Sequence, residues 1–210
     1  MKSDRITVTN TGEGMTAAME QAAAAAAYRG LTGREALHLR LLSEEMLGMV
    51  RQITGEASAG FWVESEGKRF ELHLVARPVI TGEMRKELLS VSTSGKNAAA
   101  RGVMGKLRDI FERAFDAADV GDQSSYYMQG LVLPADAGGM DPMAFAACAN
   151  MMSWSMQKYR ETVEQEKAEN AEAREEWDEL EKSIIANIAD EVAIAIRGGE
   201  VEMIVYKNFD

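Results

Sequence analysis

The stretch from Leu31 to Ile53, LTGREALHLRLLSEEMLGMVRQI, constrains the fold more than any other part of this chain. Leu39, Leu42, Met46, Met49 and Ile53 recur at spacings of three and four, which places them on one stripe of a long helix. The helix is expected to begin at Thr32 or Gly33 and to end at Gly55. A single apolar stripe needs a second layer to cover it. The flanking segments supply one. Arg5 to Thr9, RITVT, alternates and is β-branched, so it reads as a strand. Asn10 to Gly14 is a turn that leads into an alanine-rich helix, Met15 to Arg29, which Gly30 stops. Gly60–Ser65 and Arg69–Ala76 form a hairpin around Glu66-Gly67-Lys68, and its second strand ends near Pro78.

Further along, Glu83 to Leu89 and Ala98 to Phe115 read as helices on either side of the polar loop Ser90–Asn97. From Asp116 to Met152 periodicity is lost. A run of that length exceeds an ordinary connection and is expected to be an insertion. Ser153–Asn170 reads as helical, with Trp154 and Tyr159 as packing residues. Trp177–Glu191 reads as one amphipathic helix. A closing hairpin follows, Val192–Ile196 and Val201–Tyr206 around residues 197–200. Adjacent hairpins with clustered helices give the α+β class. The expected architecture is a two-layer α/β sandwich whose mixed, mostly antiparallel sheet is covered on one face by helices. The expectation is a single domain over 1–210, with a flexible insertion at 116–174.

Charge and composition narrow the functional classes. The formal net charge of −11 disfavours nonspecific nucleic-acid binding and attachment to an anionic membrane. The one cysteine, Cys148, and two histidines, His38 and His73, give neither a disulfide framework nor a zinc-site spacing. No run is long and apolar enough for a membrane span, and the N-terminal residues carry no signal core, so a cytoplasmic protein is expected. Ten acids against two bases over Glu161–Glu181 read as a solvated helix face.

Three features bear on chemistry. Glu44 and Glu45 lie off the buried stripe. Glu44 is either the i,i+4 partner of Arg40 or a functional acid. Gly48, inside the helix, costs about 1 kcal/mol relative to alanine, so a packed strand or a ligand is expected to approach the backbone there. Finally, Arg77–Arg113 holds eight bases against four acids, beside a Ser/Thr/Gly loop that enters a helix. Ser94, Gly95, Lys96, Asn97, Arg101, Gly102, Gly105 and Lys106 there make an anion site. The alternative is a basic helix that balances acidic neighbours. His38 and His73 have no evident Ser or Cys partner, and Gly95-Lys96 lacks the remaining letters of a P-loop.

The order of elements, the Ser43-Glu44-Glu45-Met46-Leu47-Gly48 run and the Gly102-Val103-Met104-Gly105-Lys106-Leu107 run together resemble the GHKL, or histidine kinase-like, ATPase superfamily. Within it, the chain is most similar to the small anti-sigma-factor serine kinases of bacteria. The resemblance implies a Bergerat-like ATPase fold, with ATP as the ligand, Glu44 as the catalytic glutamate that orients or activates the attacking group, and Glu45, Gly48 and the loop residues named above around the nucleotide. It also exposes two departures. Gly48 stands where the family has its magnesium-binding asparagine, which argues against Mg²⁺. Ala76-Arg77-Pro78-Val79-Ile80 lacks the adenine-reading aspartate. The implied protein is therefore a degenerate, regulatory member of the family that works through a protein partner, with a homodimer as one arrangement. The alternatives are an active serine kinase or ATPase with a rearranged site, and an interaction module that binds through Met140, Met143, Met151, Met152 and Met156.

Overall fold

A computed structural model describes residues 1–51, 58–77, 153–197 and 200–210. In chain order the elements are β1 (Ile6–Thr9), α1 (Met15–Tyr28), α2 (Gly33–Arg51), β2 (Ser58–Glu66), β3 (Arg69–Arg77), β4 (Ser153–Ser155), α3 (Met156–Glu166), α4 (Ala171–Lys182), α5 (Ile184–Ile188), β5 (Glu191–Arg197) and β6 (Glu200–Asn208). The strands form one six-stranded sheet in the order β1-β2-β3-β6-β5-β4. All five pairings among the described strands are antiparallel, the larger part of the expected mixed, mostly antiparallel sheet. The α+β class stands.

Local chemistry explains the boundaries. Gly14 caps α1 at φ 73, and a Cβ there would lie 2.0 Å from the Thr7 carbonyl oxygen, so only glycine fits. At the other end, Leu31 N–H donates to the Ala26 carbonyl and Gly30 N–H to that of Ala27. This paired closure with a left-handed Gly30 is a Schellman ending, and it buries Leu31. The buried residues of α1 are Met15 and four alanines, Ala18, Ala22, Ala25 and Ala26. Their short side chains let the helix pack closely on β1 and β2.

On α2 the expected stripe is buried at Leu39, Leu42, Met46 and Met49, joined by Ser43, Leu47 and Val50. The helix lies between α1 and α5 and also touches β1 and β3. Contacts of α5 with α4 and of α4 with α3 continue the helical layer, and α3 packs on β4 and β5. The sheet meets this layer through alternate residues: Phe61 and Val63, Phe70, Leu72 and Leu74, Val192 and Ile194, and Val201, Met203 and Val205. Period-two alternation puts the residues between them on the opposite face. The described elements share one hydrophobic core.

The second half departs from expectation in three places. Ser153–Ser155 is a short edge strand on β5, and the helix begins only at Met156. The expected helix over Trp177–Glu191 is split: α4 ends at Lys182, and Ser183 caps α5 by accepting from Ala186 N–H. The expected insertion at 116–174 is part of the fold from residue 153 onward, while residues 116–152 lie outside the described set. Trp154 and Tyr159 are buried, with ring centroids 5.9 Å apart. Burial and the Glu176 carboxylate raise the Tyr159 phenol above its ordinary range. Glu191 fixes this corner, since its carboxylate accepts from the N–H groups of Met156, Gln157 and Val192 and from the Ser155 hydroxyl. Met156 is 2% exposed, so it belongs to the core and not to an adaptable methionine surface.

Candidate functional site

Helix α2 places Glu44, Glu45 and Gly48 together on its outward side. A helical turn of 3.6 residues puts Leu37, Leu41, Glu44 and Gly48 in one line opposite the buried stripe, with Glu45 beside it. Leu37 is 51% exposed there, and Leu41 and Gly48 are partly exposed. Apolar residues on both sides of one helix depart from ordinary amphipathic patterning.

The three residues have different environments. Glu44 is exposed and accepts from Arg40 Nε at 3.3 Å, the i,i+4 pair that its spacing allows. Glu45 is half-buried. Burial first, and then the neighbouring charge of Glu44, hold its carboxyl above the ordinary range. No hydrogen bond or ion pair reaches Glu45 among the described residues. Gly48 has no left-handed φ, and among the described residues nothing lies within 4 Å of the place its Cβ would take. Neither backbone conformation nor a strand among the described residues therefore accounts for this glycine. Ser43, the first letter of the Ser-Glu-Glu run, is fully buried and donates to the Leu39 carbonyl at 2.8 Å. It belongs to the helix interior and does not face the acids. Ser94, Gly95, Lys96, Asn97, Arg101, Gly102, Gly105 and Lys106 lie outside the described residues, as do Cys148 and the helices expected at 83–89 and 98–115.

The sheet carries a second polar constellation that sequence reading missed, on the face opposite the helices. His73 stacks on Trp62 with ring centroids 4.7 Å apart and planes within 5°. Its Nδ1 is 3.3 Å from Glu202, and its Nε2 is 3.4 Å from Glu71 and 3.8 Å from Glu64. The side chain is only 8% exposed, and Nε2 has no hydrogen-bond partner among the described residues. Glu64 accepts from Lys2 at 2.8 Å and from the Trp62 indole N–H at 2.9 Å. Those bonds, Lys2 foremost, hold its carboxyl below the ordinary range. The guanidinium of Arg5 occupies the space over Gly60, 1.8 Å from where a Cβ would sit, and lies 5.5 Å from the Trp62 ring centre.

Register explains the cluster. Trp62 pairs with His73 and Glu64 with Glu71, and the second row continues through Tyr206 to Glu191. Burial, followed by the charges of Glu71, Glu202 and Glu191, raises the Tyr206 phenol. The hairpin itself was legible, but its turn is the two residues Gly67-Lys68 and not the expected Glu66-Gly67-Lys68, and that difference sets which residues stand opposite. Glu202 could not be placed in this way, because it arrives through the distant pairing of β3 with β6. The other histidine, His38, accepts from Arg34 at 3.3 Å on the helix surface, as a solvent-side residue would.

A cleft of about 550 Å³ opens beside the β2–β3 turn, lined in part by Met1, Arg29, Ser65, Arg69 and Glu71. The Arg29 guanidinium is already committed to the Ser65 hydroxyl and carbonyl, at 3.0 and 2.6 Å. No α2 residue reaches this cleft. Among the described residues, no group of three or more His, Cys, Asp or Glu side chains could hold a metal ion. No helix among them is long and apolar enough to cross a membrane.

The fold and these sites define an α+β protein with a six-stranded antiparallel sheet and a helix, α2, that carries acids on its outward side. No family model matches the chain, and neither the curated proteins nor the solved structures give a match.

Proposed function

We propose that this chain is a cytoplasmic regulatory protein built on a histidine kinase-like, Bergerat-type ATPase fold. Its nucleotide site is degenerate, and it acts through contact with a partner protein. The observation that carries this reading is the outward ridge of α2. It presents a half-buried carboxylate at Glu45, exposed leucine at Leu37, and at Gly48 a glycine whose Cβ position meets nothing within 4 Å among the described residues. In the family this is the helix that faces nucleotide, and Gly48 stands at the magnesium-ligand position. The succession of β1, α1, the glutamate-bearing α2 and the β2–β3 hairpin supports this reading; the lid and helix that the family places next fall outside the described residues. Without the asparagine, a phosphate-bound Mg²⁺ loses its protein oxygen ligand, and hard cations depend on such ligands. The outward leucines then serve a protein surface better than a catalytic one.

The test is thermal melting with ATP, ADP and a nonhydrolysable analogue, each with and without Mg²⁺. A ligand that binds the folded state alone raises the melting point, by about 2.7 kcal/mol of stability at a hundredfold excess over Kd. The expected outcome is little or no shift, unchanged by Mg²⁺. A large, Mg²⁺-dependent rise would overturn the degenerate reading.

One observation favours a second reading, an active anti-sigma-type serine kinase or ATPase with a rearranged site. Glu45 carries the raised proton affinity that suits a general base, whereas Glu44 is paired with Arg40. On that reading Glu45→Gln abolishes phosphate release while Glu44→Gln retains it. Full retention of phosphate release in Glu45→Gln would eliminate it.

A further inference from the structure

We draw no further inference here: the strongest candidate, the His73, Glu64, Glu71 and Glu202 cluster on the sheet face opposite the helices, forms no group that could hold a metal ion, and nothing in the structure shows what covers that face.

Discussion

Replacing Gly48 with alanine separates a glycine that is merely tolerated from one that a neighbour requires. The residue is helical, its φ is not left-handed, and among the described residues no heavy atom lies within 4 Å of the added Cβ. The methyl group therefore meets neither strain nor a clash, and only helix propensity changes. Glycine is less favourable than alanine by about 0.8–1.0 kcal/mol in a helix interior, partly through the entropy of the unfolded chain. The position is close to Arg51, where α2 leaves the described residues, so we take about 0.5–1 kcal/mol as the gain. For a chain of this size each kcal/mol moves Tm by about 2–4 °C, so Gly48→Ala should melt about 1–4 °C higher. Differential scanning calorimetry, with urea denaturation as a check on the slope, measures it. A lower Tm with the far-ultraviolet helix signal intact would refute the reasoning, because it would mean that some group lies against the Gly48 backbone. Gly48→Asn starts from the same open Cβ position among the described residues and has a smaller propensity gain, about a few tenths of a kcal/mol. If the missing asparagine is what disabled the site, this variant should acquire a Mg²⁺-dependent thermal shift with ATP that the parent lacks. No gain in Mg²⁺ response would count against the assignment of position 48.

Glu45 has a raised proton affinity when folded, so its ionisation lowers stability as pH rises from the ordinary carboxylate range through its raised value. Glu45→Gln should thus melt higher than the parent near neutral pH, and the advantage should vanish at acid pH; an equal difference at both ends would contradict this. Gly14→Ala places a Cβ 2.0 Å from the Thr7 carbonyl oxygen in a left-handed conformation, and should cost about 2 kcal/mol or more in urea titrations. Glu191→Ala leaves the N–H groups of Met156 and Gln157 without their carboxylate and should cost about 2 kcal/mol. Protection of those amides in hydrogen exchange should fall first around Ser155–Lys158, and unchanged protection there would argue that water replaces the carboxylate at no cost.

Periodic features and tight turns could be read in advance because their cause is local. The stripe Leu39, Leu42, Met46 and Met49 is buried as its spacing requires, and Gly30 ends α1 because glycine alone takes that backbone conformation without strain. The β2–β3 hairpin was read correctly, but its turn is two residues, Gly67-Lys68, and not the expected three, so the juxtaposition of Trp62 with His73 and of Glu64 with Glu71 emerged only with the register. The Arg40–Glu44 pair was likewise one of the two readings that spacing offered, and the structure displays it. By contrast, Ser153–Ser155 has no strand signature of its own. It is extended because β5 supplies the hydrogen bonds. Ser183 interrupts an otherwise continuous helical pattern because its hydroxyl caps α5, and the amphipathic period runs through such a break without marking it.

What the amino-acid order alone determined, among the described residues, is β1, α1, α2 with its buried stripe and the presence of the two hairpins, all of which depend on neighbours within a few residues. Only the tertiary structure inserted β6 between β3 and β5, antiparallel to both, and brought Glu202 to His73. It also separated two adjacent acids that look alike in sequence. Solvent and Arg40 take Glu44, while the packing around α2 removes enough water from Glu45 to change its proton affinity. Desolvation depends on what surrounds a side chain in space, and that is set by contacts between residues far apart in the chain.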